Sequence, residues 1–281
     1  MLVFSPAVVA VTLLAAVLHA VWNAVAHQAP DRLLGFALIN VAYTVIGGLA
    51  VAVLGLPPAG SWPYIIGSAL IHVVYQLLLW ASYEFGDFSQ VYPVARGTAP
   101  WVVAVLEIVL LHRAMPVVQL IGVLTISAGL VSMALDRGRP TRAQLPALAA
   151  AVATGLAIAA YTVVDASGVR TTPVLLYAAW MFFLQGPVLP LVALARRGRR
   201  LTTEVRKSAA GGLVGGVLSL TAYGLVLWAQ TSGATAAIAA LRETSIVIGA
   251  IIGVAFLGER LGRRRIAAAV LVAAGIVLVS L

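Results

Sequence analysis

Cysteine is absent from this chain of 281 residues, and charged residues are scarce. Without cysteine there are no disulfide bonds and no thiolate metal sites. Charged residues make up 10% of the sequence, whereas soluble domains carry about 25%. Hydrophobic residues make up 62%, and a soluble fold of this length would leave much of that apolar surface in water. These shortages exclude an ordinary soluble domain and favour a protein of the lipid bilayer.

Apolar runs of roughly 20 residues recur along the whole chain, and each is long enough to cross a bilayer. The runs are continuously apolar rather than alternating, which indicates helices and not the strands of a barrel. The first run has no basic residue before it and contains His19 and Asn23, so we interpret it as a helix rather than a signal peptide. We predict an all-α membrane protein with ten transmembrane helices, at residues 7–26, 34–55, 62–82, 88–111, 116–135, 147–166, 174–195, 209–229, 234–257 and 264–281.

The two halves of the sequence resemble each other. Residues 96–133 align with residues 242–279 at a constant shift, and a two-residue gap joins this register to the preceding segment. Five helices is an odd number, so the second copy enters the membrane in the opposite sense, as in the inverted repeats of secondary transporters. We predict one five-helix repeat over 1–137 and a second over 143–281. The matched pairs include Arg96 with Arg242, Thr98 with Thr244, Tyr75 with Tyr223 and, more weakly, Trp22 with Tyr161.

The net charge of +9 does not indicate nucleic-acid binding, because the basic residues lie in short loops, where they set topology. Loops after even-numbered helices hold only Arg113 and Arg170. Nearly all other loop arginines and lysines follow odd-numbered helices, in loops that we call the odd loops; the loops after even-numbered helices are the even loops. The positive-inside rule therefore predicts that the odd loops are cytoplasmic and that both termini lie outside. The dominance of arginine over lysine suggests a bacterial source, and we expect the cytoplasmic membrane. Loops after odd-numbered helices hold Arg32, Arg137, Arg139, Arg142, Arg196, Arg197, Arg199, Arg200, Arg206, Lys207, Arg260, Arg263, Arg264 and Arg265.

Ionisable residues inside predicted helices are costly, by roughly 2.5–3.5 kcal/mol each, and are therefore functional candidates. Arg96 and Arg242 occupy repeat-related positions in helices 4 and 9, and we expect them to face each other across the central axis. Glu243 follows Arg242, and Glu107 lies close to three turns after Arg96 on the same face. Two interpretations stay open. Either these charges pair and lock the two helices together, or they line a water-filled cavity and bind a polar substrate.

Helices 1 and 6 each carry a polar face. His19, Trp22 and Asn23 lie three and four residues apart and share one side of helix 1, which should point to the interior of the bundle. His19 is a candidate for binding or proton relay, or it is held in the core by hydrogen bonds. Tyr161 and Asp165 are four residues apart and share one side of helix 6. Asp165 lies either at the helix end near water or in the cavity.

Aromatic residues and prolines mark helices 3, 4 and 8. Trp80 and Trp228 are repeat-related. Tryptophan is typical of the membrane interface, but we expect some of the aromatic rings on these helices to face the interior of the bundle and form apolar walls. Pro93 and Pro100 each remove a backbone donor from helix 4. Interrupted helices near the midplane are the best sequence indication of a transporter site.

Five segments together resemble the EamA-type, ten-helix branch of the drug/metabolite transporter superfamily. They are Leu-His-Ala-Val-Trp-Asn at 18–23, Val-Tyr-Pro-Val-Ala-Arg-Gly-Thr-Ala-Pro at 91–100, Tyr-Thr-Val-Val-Asp at 161–165, Leu-Arg-Glu-Thr-Ser at 241–245 and Phe-Leu-Gly-Glu-Arg at 256–260. The first half departs from the family pattern, because His112 and Arg113 stand where the family usually has Gly-Glu. The resemblance implies a fold of two inverted five-helix repeats and the transport of small metabolites such as amino acids, choline-like cations or toxic amphiphiles. It also implies cytoplasmic termini, which conflicts with the loop charges.

We therefore expect a secondary transporter of a small polar or amphipathic metabolite, working by alternating access without a cofactor or metal and using protons in some family members. One rival function is that of a lipid-carrier flippase. The other is that of a membrane-embedded enzyme, which would need a clustered nucleophile or a metal motif, and the sequence shows neither. The protein is expected to act as a monomer or homodimer. The candidate substrate-binding residues are His19, Trp22, Asn23, Trp80, Tyr92, Arg96, Tyr161, Asp165, Trp228, Arg242 and Glu243, and the proton-coupling candidates are Glu107, Glu243 and His19.

Overall fold

The computed structural model of the protein describes residues 5–27, 31–85, 88–134, 141–198, 201–248 and 263–280. Within these ranges the chain is almost entirely helical and contains no strand. The all-helical prediction is confirmed for this part of the chain. The predicted helix end at 249–257 and the segment 256–260 lie outside the described residues.

The helices follow one another with short connections. The first half contains α1 (Pro6–His27), α2 (Arg32–Leu54), α3 (Trp62–Phe85), α4 (Phe88–Val109) and α5 (Val117–Ala134). The second half contains α6 (Leu145–Gly168), α7 (Val174–Gln185), α8 (Val188–Arg197), α9 (Leu201–Gln230), α10 (Thr235–Arg242) and α11 (Arg263–Ser280).

Helix α2 shows how local sequence sets the limits of a span. Asp31 precedes the helix, and its Oδ1 accepts hydrogen bonds from the backbone N–H groups of Leu33 at 2.9 Å and Leu34 at 3.3 Å. These are donors that a helix start otherwise leaves unpaired. The helix ends at Gly55, whose φ of +77° is strained for residues with a Cβ.

Two predicted spans are interrupted, and a third is continuous where we expected a break. The span predicted at 174–195 consists of α7 and α8, which are separated by Gly186 and Pro187. The span predicted at 234–257 turns at Glu243 after α10 and is helical again at 244–248. Helix α4 instead continues through Pro93 and Pro100. Each proline removes only one backbone donor, and transmembrane helices tolerate this when neighbouring helices support them.

The outer surface of the bundle is apolar. Among the described residues, six helical segments are long and apolar enough to cross a membrane, and α5 and α11 contain shorter apolar helices. Large apolar side chains on these helices are exposed, including Val53 at 85%, Leu175 at 74% and Val117 at 71%. An apolar exterior of this kind is stable in lipid and not in water, so the protein is a multi-pass membrane protein.

Glycines allow α5 and α11 to approach closely. A Cβ added at Gly122 would lie 2.8 Å from the carbonyl oxygen of Gly275, and one added at Gly275 would lie 2.8 Å from that of Gly122. A Cβ added at Gly129 would likewise lie 3.2 Å from the carbonyl oxygen of Ala268. Small residues at such crossings let two backbones pack directly, which is how helices associate in lipid.

Candidate functional site

A cavity with about 60 Å³ of room for the centres of water-sized molecules lies between the two halves. Its walls come from helices of both halves, so neither half forms it alone. Polar groups and aromatic rings converge there, as is typical of small-molecule sites. The lining residues are His19, Trp22, Phe36, Ile39, Asn40, Tyr43, His72, Tyr75, Gln76, Tyr161, Phe182, Gln185, Ser219, Tyr223 and Arg242.

Four rings from α3, α6 and α9 form one aromatic wall. The rings of His72 and Tyr161 stack with centroids 3.9 Å apart and an interplanar angle of 22°. Tyr75 and Tyr223 meet Tyr161 edge to face at 5.6 and 5.9 Å. Edge-to-face and offset arrangements are the favourable ones for aromatic rings, so this wall is a firm, largely apolar surface.

Arg242 is the cationic group of the cavity. It ends α10, is 6% exposed, and its guanidinium carbon lies 5.5 Å from the centroid of the Tyr223 ring. The face of an aromatic ring attracts a cation. No carboxylate in the described part of the chain forms an ion pair with Arg242. The cavity therefore holds a buried positive charge that no carboxylate among the described residues neutralises.

Arg96 has a different environment from its repeat-related partner. Its Nε donates to Glu243 Oε2 at 2.8 Å, and its Nη2 lies 3.4 Å from Ser245 Oγ. Arg96 is 3% exposed and Glu243 is 2% exposed, so the pair is buried and locks α4 to the segment after α10. The repeat register aligns Glu243 with Gly97. The first half thus has a glycine where the second has the carboxylate, and Arg242 has no equivalent partner.

Three side-chain amides form a chain across the cavity wall. Asn40 Nδ2 donates to Gln76 Oε1 at 2.6 Å, and Gln76 Nε2 donates to Gln185 Oε1 at 3.2 Å. These residues come from α2, α3 and α7. Nearby, the hydroxyls of Tyr43 and Ser219 share a hydrogen bond of 2.6 Å between α2 and α9. Hydrogen bonds therefore join the two halves at the cavity.

Two of the three residues on the predicted polar face of α1 line the cavity, and the third does not. His19 and Trp22 line the cavity, and Trp22 Nε1 donates to His19 Nδ1 at 3.2 Å. In this bond Nδ1 of His19 is the acceptor. Asn23 is not among the lining residues, because its amide donates to the backbone carbonyl of His19 at 2.8 Å.

Asp165 is fully buried beside the cavity. Its Oδ1 accepts from the hydroxyl of Tyr177 at 2.7 Å, and its Oδ2 accepts from that of Tyr223. Tyr177 also donates to the backbone carbonyl of Tyr64 at 3.2 Å. The carboxylate therefore positions two tyrosines and does not itself line the cavity.

Four other predicted residues lie away from the cavity lining. Trp80 packs beneath the guanidinium of Arg196, which lies 4.6 Å from the ring centroid. Trp228 is 44% exposed on the outer surface. Tyr92 packs among apolar core residues beside the Arg96–Glu243 pair. Glu107 lies near the end of α4, where its Oε2 accepts from the backbone N–H of Ala236 at 2.8 Å.

The predicted repeat pointed to two cavity residues that our prediction of the site left out. Tyr75 and Tyr223 are repeat-related and line the cavity, whereas Trp80 and Trp228, five residues further on, do not. Five residues rotate a side chain by about 140° around a helix, so the tyrosines and the tryptophans project to different sides. His72 and the three amides had no comparable signal, because nothing in the sequence pairs residues of α2, α3 and α7.

Hydrogen bonds between the halves also gather at the loops after the even-numbered predicted helices. Glu107 accepts from Ala236, and Arg113 Nη1 donates to the carbonyl of Gly233 at 2.9 Å. Thr172 Oγ1 donates to Ser61 Oγ at 2.5 Å. Trp180 Nε1 donates to the carbonyl of Gly55 at 2.8 Å. The two halves are therefore joined tightly on this face of the bundle.

Comparison with known proteins agrees with this architecture. Residues 145–281 match the sequence model of the EamA-like transporter family. A solved structure, described only as the crystal structure of a protein, shares the fold with a TM-score of 0.78 at 17% identity, and the alignment covers 98% of each chain. No curated protein matches the sequence.

Proposed function

We propose that this chain, whose residues 145–281 match the EamA-like transporter family, is a secondary transporter of the drug/metabolite transporter superfamily. It would carry a small polar or amphipathic metabolite across the bacterial cytoplasmic membrane by alternating access. The observation that carries this proposal is the cavity between the halves, with Arg242 buried in its wall.

Arg242 favours an anionic substrate. A buried charge that forms no ion pair is costly, and a ligand that supplies the opposite charge removes that cost. A carboxylate suits a guanidinium because the two can form parallel hydrogen bonds. The aromatic wall of Tyr161 and Tyr223 would hold the apolar part of the molecule. Arg96 would serve a structural role, because Glu243 already neutralises it.

Ten spans in two inverted repeats would account for the packing. The six long apolar segments, α4, α5, α11 and the segment interrupted at Glu243 would make up the ten. Helix α3 packs against α6, and its repeat-related counterpart α9 packs against α1. In the α5–α11 contact, the pairs Gly122–Gly275 and Gly129–Ala268 are exchanged by the repeat register. Such exchange is expected of two copies related by a twofold axis.

Alternating access would then require the face with the even loops to open. In the structure, Glu107, Arg113 and Thr172 connect the two halves there. Of the proton-coupling candidates, His19 is the one that lines the cavity. Glu243 is bound to Arg96, and Glu107 belongs to the closed face.

The loop charges favour cytoplasmic odd loops and termini outside the cytoplasm. A reporter enzyme that is active only in the periplasm, fused after Leu281, tests this orientation. An active fusion is expected, and an inactive fusion that is nevertheless produced at normal levels would show the opposite orientation.

The substrate proposal is tested by thermal unfolding of the purified protein with organic carboxylates and their uncharged methyl esters. A ligand that binds only the folded state raises the melting temperature. We expect one or more carboxylates to raise it and the matching esters to fail. The shift should vanish in Arg242→Gln and persist in the control Arg142→Gln, which changes an exposed arginine outside the cavity. Equal shifts by acids and esters, or an unchanged shift in Arg242→Gln, would refute the role of Arg242.

A further inference from the structure

The chain of amides in the cavity wall has a fixed direction. The orientation of a side-chain amide is assigned from its hydrogen bonds, and here one end is anchored to the backbone. The carbonyl of Phe36 only accepts, so the atom of Asn40 that lies 2.8 Å away is Nδ2. Nδ2 also donates to Gln76 at 2.6 Å, which makes the facing atom Oε1. Gln76 Nε2 must then donate to Gln185 Oε1.

This direction leaves one free acceptor and one free donor. Asn40 Oδ1 and Gln185 Nε2 are both buried and have no hydrogen-bond partner among the described residues. Asn40 is 0% exposed and Gln185 is 1% exposed. Buried polar atoms are normally paired, because an unpaired one loses its hydration without compensation. Both residues line the cavity, and the two free atoms lie just beneath its surface, so a molecule bound in the cavity can supply the missing partners after a small rotation of the two side chains.

The helices that carry the two free atoms are packed too closely to shift easily. A Cβ added at Gly47 of α2 would lie 2.8 Å from the backbone nitrogen of Phe183 in α7. A Cβ added at Gly186 would overlap the side chain of Thr44. Direct backbone contact fixes the two helices relative to each other, so the backbone positions of Asn40 and Gln185 are set before a ligand arrives.

The amide chain and Arg242 occupy different walls of the cavity. Arg242 lies on α10, which packs against α1 and α4. Asn40, Gln76 and Gln185 lie on α2, α3 and α7; helix α7 packs against both α2 and α3, and the hydrogen bond from Asn40 to Gln76 joins α2 to α3. A single molecule that reaches both walls needs two separated polar groups joined by an apolar body.

We propose that Asn40, Gln76 and Gln185 form a specificity site that binds a substrate hydroxyl or primary carboxamide, at the end of the molecule opposite its carboxylate. Each of these groups both donates and accepts, which matches Asn40 Oδ1 and Gln185 Nε2. The proposal rests on the proposed transport of an organic anion and narrows its class to hydroxy- or carboxamide-bearing carboxylates with an apolar middle part. Molecules that lack the second polar group would leave the two buried atoms unpaired and would bind more weakly.

Two probes of nearly equal shape test the site by titration calorimetry with the purified full-length protein. They are 3-(4-hydroxyphenyl)propionate and 3-(4-methylphenyl)propionate, which differ by a hydroxyl in place of a methyl group far from the carboxylate. We expect the hydroxyl compound to bind about 10- to 100-fold more tightly, as two hydrogen bonds would give. Equal affinities, or tighter binding of the methyl compound, would overturn the proposal while leaving the carboxylate site intact.

The variant Gln185→Met should remove this preference, bringing the ratio of the two affinities close to one, with little change for the methyl compound. Its control is Gln119→Met, the same change at a buried glutamine on α5 outside the cavity, which should keep the ratio. A retained ratio in Gln185→Met would overturn the proposal. If that variant does not fold, the comparison of probes on the unmodified protein still decides.

A third probe, 4-ethylphenol, lacks the carboxylate and separates this proposal from the wider one. Binding of 4-ethylphenol as tight as that of the hydroxyl acid would refute the role of Arg242. Failure of both acids to bind would count against both proposals.

Discussion

At the scale of single residues, the two intramembrane arginines have unequal surroundings. Arg96 is neutralised by Glu243 at 2.8 Å, whereas Arg242 contacts the ring of Tyr223 and forms no ion pair with a described carboxylate. Both are almost completely buried. Removing a buried cation should therefore have opposite effects on stability at the two positions, because one removal leaves Glu243 buried without its partner and the other removes a charge that pairs with no described carboxylate.

We expect Arg96→Gln to lower the free energy of unfolding by about 3–5 kcal/mol, since Glu243 would stay buried without its partner. Arg242→Gln should keep or raise the melting temperature of the ligand-free protein, although it abolishes binding of carboxylates. Stability sacrificed for function in this way is common at binding sites. Thermal unfolding of both variants in one detergent measures the difference. A marked loss of stability in Arg242→Gln would mean that the protein itself compensates this charge.

Sequence reasoning predicted four of the residues that line the cavity. Spacing on α1 and the intramembrane charge identified His19, Trp22 and Arg242, and spacing on α6 identified Tyr161; all four line the cavity. The unequal roles of the two arginines were not predicted, since the repeat made them look equivalent. The difference depends on which helix faces Glu243, and such contacts between distant segments leave no local pattern. The same holds for the amides of α2, α3 and α7.

At the scale of helices, the apolar runs and the Gly, Pro and charged residues between them predicted most helices. Each span is limited by local signals, such as Asp31 before α2 and Gly55 after it. The breaks within spans were harder. Pro93 and Pro100 suggested an interruption in α4, which is continuous, while the chain turns at Glu243 and at Gly186. A proline inside a helix removes one hydrogen bond, and packing against neighbouring helices decides whether the helix ends there.

The close crossing of α5 and α11 provides a test at this scale. Gly275→Ala places a Cβ 2.8 Å from the carbonyl oxygen of Gly122 and closer still to Ile126. We expect a loss of about 1–3 kcal/mol in the free energy of unfolding, because the backbones must separate. The matched control is Gly67→Ala in α3, where a Cβ meets nothing within 4 Å. That change should be neutral or stabilising by up to about 1 kcal/mol, since alanine favours helix more than glycine does. Equal effects of the two substitutions in thermal unfolding would contradict the close crossing.

At the scale of the whole molecule, the contacts between the halves define which face is closed. Hydrogen bonds from Glu107, Arg113 and Thr172 join the halves at the even loops. The cavity in the middle of the bundle is lined by both halves. For a transporter, the bonds at the even loops must break in each cycle so that the same cavity opens to the other side of the membrane.

The absence of cysteine permits a direct measurement of this cycle. Ser219→Cys places one thiol in the cavity, and membrane-impermeant maleimide is applied to vesicles of either orientation. Ser61→Cys and Thr172→Cys add a disulfide that holds the even-loop face closed. In the unmodified protein the hydroxyl oxygens of Ser61 and Thr172 lie 2.5 Å apart, which brings the two Cβ atoms within disulfide reach. We predict that Ser219→Cys alone reacts from both faces of the membrane, and that the oxidised triple variant reacts only from the odd-loop face. Reaction of the single variant from one face only, or reaction of the oxidised variant from the even-loop face, would contradict alternating access through this cavity.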